Sequence, residues 1–453
     1  MKIIIVGLGE TGTTLLRALS GDNHDITVID KDKSLINRIT DKYSVSGVVC
    51  SGASKETLMK AGVNGADIFV ALTHIDEINL LCCMQAKKCG AGKTVARLQL
   101  PDLANDMASV RKEYDIDYIV RPRIEIADEI HRNMGLPGFI KLEGLFGDEV
   151  MIIDMSVMRD SPLAGRTLMD IRKNVRSDIL VGTVIRNDKL YIPDGSFTIE
   201  EGDSLTISVP GGDLNEILET FGIKRKSSDN VMMVGCGIIG DYLCGKFIKE
   251  GRKLTILEND IDRCRALMEK YPTANVAYSE GEITEVLEEE GINKTGTLIS
   301  LTSSDETNLV IAMFAWSRKV PSVITRVDKQ SHVRLLHKVN IDITASPTEL
   351  SVHRILHFIR NSENRVGGSY RGFYSVAEGK AEVIEFTADK NFKLLNMPIK
   401  SKEFKIKKNV LISGIIKNNN MIIPSGDSVI EEGDRVIITT GADRRIRSLD
   451  DIL

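Results

Sequence analysis

An internal repeat limits the possible folds of this 453-residue chain more than any other feature of its sequence. Four pairs of segments match at an offset of about 228–229 residues: 2–12 with 231–240, 25–32 with 253–260, 71–81 with 300–310, and 95–98 with 324–327. A further pair, 191–205 and 421–436, matches at an offset of about 231 residues. The chain therefore alternates two kinds of module, called A and B here, in the order A–B–A–B.

Module A has short apolar strands that alternate with helices. In the first copy, residues 3–6 and 26–29 are apolar strands, and Leu15, Leu16 and Leu19 lie at helical spacing between them. Continuous apolar strands are typical of a parallel sheet covered by helices on both faces. Each module A is therefore predicted to be an α/β, doubly wound, Rossmann-like domain.

Module B is richer in short strands, with two hairpin-like stretches that have polar turns, and is predicted to be a small α+β unit. Apolar residues at helical spacing occupy 121–135 and 348–360, between the modules. These helices are predicted to cross over and build a dimer, and the alternative is that each packs on its own domain. The predicted boundaries are 1–120 for the first Rossmann domain, 121–140 for a crossover helix, 141–223 for the first module B, 224–230 for a linker, 231–345 for the second Rossmann domain, 346–369 for the second crossover helix, and 370–453 for the second module B.

A glycine motif follows the first strand of each module A. In GLGETG (7–12), Gly7 allows a tight turn, Gly9 lets the backbone approach a pyrophosphate, and Gly12 lets the helix pack on the strand. Asp30 ends the second strand, where a carboxylate can accept hydrogen bonds from ribose hydroxyls and favours NAD(H). The alternative is an empty scaffold whose glycines serve only the turn.

The second copy repeats this pattern with GCGIIG (235–240) and Glu258. Thr73 and Thr302 end the fourth strands, and each either touches a ribose or phosphate or caps the next helix. Arg97 and Arg326 end the fifth strands, and each either neutralises a phosphate or pairs with Asp76 or Asp305.

The candidate cofactor-binding residues are all placed by these motifs. They are Gly7, Leu8, Gly9, Glu10, Thr11, Gly12, Asp30, Lys31, Thr73 and Arg97 in the first site, and Gly235, Gly237, Ile238, Ile239, Gly240, Glu258, Thr302 and Arg326 in the second.

Composition and motifs argue against several other classes of protein. The net charge is −5, which does not fit a protein that coats nucleic acid. No apolar run is long enough to span a bilayer, and no signal peptide is visible. The seven cysteines contain no CxxC pair, and no catalytic or metal-binding constellation is visible. A regulatory role is therefore preferred to catalysis, and the alternative is a soluble NAD-dependent oxidoreductase.

The segments MKIIIVGLGETG, NHDITVIDKD, ALTHIDEINLL and KTVARLQ, together with the duplication, resemble the TrkA family. Its members are peripheral nucleotide-binding subunits of Trk-type potassium transporters, built from RCK (KTN) domains. The resemblance covers nearly the whole chain. The sequence departs from the family's G-(D/H)-A turn, since it reads Ser51-Gly52-Ala53-Ser54 and Ser279-Glu280-Gly281-Glu282 there.

This resemblance implies NAD(H), and also ATP or ADP, in the Rossmann domains. It implies a homo-oligomeric ring, a tetramer, at the cytoplasmic face of the membrane beneath a potassium-translocating subunit. Nucleotide binding would gate that subunit through a rearrangement of the ring. A further alternative is a gating subunit that binds a cyclic dinucleotide through module B.

Overall fold

The computed structural model describes the chain apart from a set of short segments. The residues outside the description are 22–23, 100–106, 138–139, 146–149, 160, 175–178, 211–216, 220, 224–228, 280–281, 330–331, 333–342, 364–369, 443, 445 and 447. Most of the predicted linker, 224–230, is among them. The chain divides into two compact units, Met1–Met134 with Ser227–Ile359 and Gly135–Lys226 with Arg360–Leu453. None of the described helices is both long and apolar enough to cross a membrane.

The first module A is a parallel sheet with helices packed against it. Its strands are β1 (Lys2–Val6), β2 (Asp25–Asp30), β3 (Ser46–Val49), β4 (Ile68–Ala71), β5 (Lys93–Arg97) and β6 (Tyr118–Val120). Its helices are α1 (Glu10–Leu19), α2 (Lys33–Lys42), α3 (Lys55–Lys60), α4 (Asp76–Lys88), α5 (Met107–Glu113) and α6 (Pro122–Asn133). The strand order β3-β2-β1-β4-β5-β6 is that of a Rossmann fold. The apolar residues of β1 and β4 are buried, as expected for central strands covered on both faces.

The first module B is an antiparallel sheet accompanied by short helical segments. It contains β7 (Ile140–Leu145), β8 (Val150–Ser156), α7 (Leu168–Asn174), β9 (Leu180–Arg186), β10 (Lys189–Tyr191) and β11 (Ser204–Pro210). The order is β10-β9-β11-β8-β7. Asn187 and Asp188 turn between β9 and β10 with φ of 50° and 66°, the left-handed backbone that tight hairpins need.

The second half repeats both architectures. Its module A contains β12 (Asn230–Val234), α8 (Ile238–Lys249), β13 (Lys253–Glu258), α9 (Ile261–Lys270), β14 (Asn275–Tyr278), α10 (Ile283–Glu289), a 3-10 turn (Ile292–Lys294), β15 (Thr297–Ser300), α11 (Asp305–Ser317), β16 (Ser322–Arg326), β17 (Ile343–Ala345) and α12 (Pro347–Glu363). Its module B contains β18 (Tyr370–Val376), β19 (Ala381–Thr387), β20 (Val410–Lys417), β21 (Asn420–Ile422) and β22 (Arg435–Gly441), with 3-10 turns at Ala377–Gly379 and Leu449–Ile452. The sheet orders are β14-β13-β12-β15-β16-β17 and β18-β19-β22-β20-β21. The predicted fold class, two Rossmann-like domains each followed by a small module, is confirmed.

Helices α6 and α12 exchange between the two halves of the first unit. Ile126 and Ile130 of α6 are buried in one cluster with Phe247 of α8. Val352 and Ile355 of α12 are buried in the cluster that contains Leu15 of α1. The helices therefore cross over between the two halves of one chain and do not pack on their own domains, while the dimer stays a prediction. The physical reason is the duplication, since both partners of the exchange are already present in one polypeptide.

Arg354 Nε of α12 donates to Glu125 Oε2 of α6 over 3.0 Å, so the two crossover helices also contact each other. The ring of Phe358 stacks on Tyr118, with centroids 5.0 Å apart. Phe358 of α12 therefore packs on β6, the edge strand of the first half's sheet.

Candidate functional site

The three glycines of the first motif differ in how much space a side chain would have at their positions. Gly7 has φ of 88°, and a Cβ there would lie 2.8 Å from the Thr73 main-chain nitrogen. A Cβ on Gly12 would lie 2.0 Å from the Gly7 main-chain oxygen. A Cβ on Gly9 would meet no atom within 4 Å. Gly7 and Gly12 are therefore required by the turn and the packing, whereas Gly9 faces open space at the start of α1.

The second motif has the same geometry, except that its third glycine, Gly240, is less tightly enclosed by backbone atoms than Gly12. Gly235 has φ of 81°, and Gly237 faces open space. A Cβ on Gly240 would first meet Met233 Sδ at 2.8 Å, an atom of a flexible side chain. Both loops thus leave the amino end of a helix open to an anionic group.

A cavity of about 480 Å³ lies at the carboxyl ends of the first sheet. Of the residues expected in the first site, all except Leu8 and Gly12 line it. The Leu8 side chain is buried instead in the apolar core. A second cavity, of about 560 Å³, is lined by every residue expected in the second site. These are called the first and second cavities below.

Asp30 is fixed by main-chain hydrogen bonds at the edge of the first cavity. Its Oδ2 accepts from Leu8 N over 2.7 Å, and its Oδ1 accepts from Asp32 N over 3.0 Å. Each carboxylate oxygen can accept a second hydrogen bond. The side chain is therefore held in place and can still accept from a ligand hydroxyl.

Glu258 has comparable bonds in the second cavity and one additional neighbour. Its Oε2 accepts from Cys236 N over 3.0 Å and its Oε1 from Asn259 N over 2.9 Å. Arg263 Nε lies 3.6 Å from Oε2 and donates to the Cys236 main-chain oxygen over 2.6 Å. The sequence interpretation did not include Arg263, although its place in the first turn of α9 was a visible signal.

Thr73 does not cap helix α4. Its hydroxyl lies 2.7 Å from Asn79 Oδ1, and Asn79 Nδ2 donates to the main-chain oxygens of Thr73 and Arg97 over 3.0 and 2.8 Å. Asn308 makes the same set of bonds to Thr302 and Arg326. Each buried asparagine therefore holds together the carboxyl ends of two neighbouring strands, a role that the repeat of the asparagines alone could not reveal.

Arg97 and Arg326 differ in their partners. Among the described residues, Arg97 has no ion-pair partner, and its buried Nε makes no hydrogen bond. Burial lowers the pKa of Arg97, and the nearby charge of Arg123 lowers it further. Arg326 Nη2 instead pairs with Asp328 Oδ2 over 2.6 Å, and not with Asp305 as the sequence alternative had it. Asp305 accepts from the main-chain nitrogens of Asp328 and Lys329.

Residues from the opposite half complete each cavity. Arg326, Asp328, Pro347 and Thr348 of the second half line the first cavity. Arg123 of the first half lines the second cavity, and Arg326 lines both. The sequence interpretation assigned Arg326 to the second site alone and missed the others. No local signal in the sequence marked these residues, because they reach the cavities only through the packing of the crossover helices on the opposite half.

The region of the family's G-(D/H)-A turn is only partly visible. Ser51 and Gly52 line the first cavity, and Ser279 lines the second. Residues 280–281 lie outside the described residues.

Two family models match the chain, each of them twice. The TrkA-N domain matches residues 3–122 and 231–347, and the TrkA-C domain matches 152–222 and 383–453. These segments correspond to modules A and B.

Curated relatives match over nearly the full length. The Trk system potassium uptake protein TrkA homolog 1 of Methanosarcina mazei is 29% identical over 446 residues, which cover 97% of both chains. The Trk system potassium uptake protein TrkA of Haemophilus influenzae is 27% identical over 443 residues, covering 97% of this chain and 95% of that one. These names describe potassium uptake and not a chemical reaction, which agrees with the expectation of a non-enzymatic chain.

Solved structures share the fold. The GsuK channel bound to NAD has a TM-score of 0.63 at 16% identity and covers 97% of this chain and 76% of its own. The GsuK RCK domain has a TM-score of 0.62 at 16% identity, covering 97% and 92%. The duplicated modules, the two glycine loops and the matches to both family models lead to one conclusion: the chain belongs to the TrkA family and carries a TrkA-N and a TrkA-C domain in each half.

Proposed function

We propose that this chain is the nucleotide-binding regulatory subunit of a Trk-type potassium transporter. It binds NAD(H), ATP or ADP in its two cavities and gates a potassium-translocating membrane subunit from the cytoplasmic face. The relatives' names and the NAD bound to the GsuK channel support the ligand class and the transport role.

The observation that carries this proposal is the shared construction of each cavity. Arg326 and Thr348 come from the second half but line the cavity of the first glycine loop. A nucleotide bound there would contact both halves at once. Its binding energy then depends on how the halves are arranged, which is the requirement for a ligand to shift a conformational equilibrium.

Several sites acting together would make the switch sharp. A tenfold preference of one nucleotide for one arrangement is worth only about 1.4 kcal/mol. Each chain has two sites and a homo-oligomeric ring contains several chains, so the preferences of all these sites add together. We propose a tetrameric ring for this assembly.

The glycine loops provide the test. The double variant Gly9→Val and Gly237→Val introduces side chains where the fold has open space, so it is expected to fold and to exclude the pyrophosphate. Gly21→Val is the matched control, since a Cβ there also meets no atom within 4 Å and the residue is outside both cavities.

A strain that lacks this chain is expected to take up potassium poorly at low external concentration, and wild-type and Gly21→Val chains are expected to restore uptake. The double variant should bind no NADH or ATP in calorimetry and should rescue poorly. Full rescue by a double variant that has lost nucleotide binding would refute nucleotide gating. Unchanged potassium flux in the deletion strain would refute the transport role, and sustained oxidation of NADH with an alcohol or aldehyde would favour an oxidoreductase.

A further inference from the structure

The two cavities are built from equivalent elements but differ in charge at matched positions. The first residue of α1, directly after Gly9, is Glu10, and the first residue of α8, directly after Gly237, is Ile238. Both line their cavities. A carboxylate therefore stands beside the first glycine loop where the second loop has an apolar side chain.

The crossover helices add a second difference in charge, which also makes the second cavity the more positive of the two. The second residue of α6 is Arg123, which lines the second cavity. The second residue of α12 is Thr348, which lines the first cavity. The exchange of helices thus supplies a cation to the second cavity and a neutral hydroxyl to the first.

Asp328 increases the negative charge of the first cavity. Burial raises the pKa of Glu10, and the charges of Asp328 and Asp305 raise it further, so these carboxylates lie close enough to repel one another. Among the described lining residues, the first cavity has four carboxylates, Glu10, Asp30, Asp32 and Asp328, against the three cations Lys31, Arg97 and Arg326. The second has two carboxylates, Glu258 and Asp260, against the three arginines Arg123, Arg263 and Arg326.

We propose that the two sites of one chain select nucleotides of different charge: the first takes a dinucleotide such as NAD(H), and the second takes a nucleoside polyphosphate such as ATP or ADP. This selectivity rests on the proposed function, because it requires that both cavities bind nucleotides. In a dinucleotide the pyrophosphate continues into an uncharged ribose, whereas ADP and ATP end in a terminal phosphate that carries additional negative charge. Like charges repel, so the exposed carboxylate of Glu10, which lines the first cavity, disfavours that phosphate. Arg123 and Arg263 favour it, since guanidinium groups pair well with phosphates.

Single-site chains test the proposal directly. The full-length Gly237→Val chain retains the first site, and the full-length Gly9→Val chain retains the second. Equilibrium dialysis with labelled NADH and labelled ATP gives both affinities for each chain. The Gly237→Val chain is expected to prefer NADH and the Gly9→Val chain to prefer ATP, each by about tenfold or more, which is the effect of one screened charge contact.

Glu10→Gln in the Gly237→Val chain is expected to shift the ATP-to-NADH preference towards ATP by about tenfold. Glu285→Gln is the matched control, since that exposed carboxylate on α10 lines neither cavity. The same preference in both single-site chains, or an unchanged preference after Glu10→Gln, would overturn the proposal.

A wild-type measurement covers the case in which a valine variant fails to fold. With NADH and ATP present at equal concentrations, both in excess over the protein, wild-type chains are expected to bind about one molecule of each nucleotide, and occupation of both sites by the same nucleotide would contradict separate selectivities. A wild-type chain that binds neither nucleotide would instead refute the proposed function itself. Binding of both nucleotides with equal preference at both sites would refute only the difference between the sites.

Discussion

The side-chain amide of Asn79 donates a hydrogen bond to the main-chain oxygen of Arg97 over 2.8 Å, and so connects helix α4 to the end of strand β5. The same amide bonds to Thr73 at the end of β4. Asn79 is fully buried. One side chain therefore sets the spacing of the two strand ends that form the wall of the first cavity.

Replacement of Asn79 by Ala is expected to loosen this wall. The change leaves buried main-chain groups without partners, which costs about 2 kcal/mol. Amide hydrogen exchange should become faster at Thr73 and Leu98, while Lys88→Ala, an exposed change on the same helix, should leave both rates as they are. Unaltered exchange in Asn79→Ala would show that the asparagine does not hold the strand ends.

Arg326→Ala is expected to weaken nucleotide binding at both sites, because Arg326 lines both cavities. The loss should be about 1.5–3 kcal/mol per site, the range for hydrogen bonds to charged groups. Arg97→Ala should weaken the first site alone and Arg123→Ala the second alone. Isothermal titration of the three variants with NADH and ATP separates these patterns, and a loss confined to one site in Arg326→Ala would contradict the shared position.

Gly12→Ala is expected to destabilise the first unit far more than Gly9→Ala. The new Cβ would lie 2.0 Å from a backbone oxygen, so the helix must shift, at a cost of about 3 kcal/mol. Gly240→Ala should cost about 1 kcal/mol, since the first obstacle is the movable Met233 side chain. Thermal unfolding followed by circular dichroism gives this ranking, and equal melting temperatures for Gly9→Ala and Gly12→Ala would refute it.

The stability of the first unit is expected to fall in acid because of His357 on α12. Burial lowers its pKa from 6.5 to about 4, with a further contribution from the charge of Arg354. Between those pH values the unfolded chain binds a proton and the folded chain does not, so stability is complete above about pH 6.5 and decreases as the pH falls. The decrease reaches about 3 kcal/mol near pH 4.

Urea unfolding at a series of pH values measures this dependence. His357→Gln should flatten the curve between pH 4 and pH 6.5. His353→Gln, an exposed histidine on the same helix, should not. Identical curves for both variants would show that His357 is not the responsible group.

The parts of the fold that depend on local pattern could be predicted from the sequence. Strand β1, the glycine loop and Asp30 follow one another within a short stretch, and their order alone indicates a Rossmann crossover. The positions of Glu10 and Thr11 at the amino end of α1 follow from the same motif.

The walls that come from the opposite half could not be predicted in this way. Helical spacing shows that Ile126 and Ile130 share an apolar face, but not that the face covers α8 of the other half. For the same reason Arg123 and Thr348 gave no local sign of a site. Arg326 was assigned to its own sheet because its role in the first cavity depends on packing between segments far apart in the sequence.

The exchange of α6 and α12 within one chain has a consequence for how such a protein can evolve. In a symmetric pair of identical subunits, a mutation in one binding site appears in both at once. Here the corresponding positions are encoded separately, so Glu10 and Ile238 can change independently, as can Arg123 and Thr348. Joining the two halves into a single gene product has thus released the sites from the symmetry that an ordinary dimer imposes.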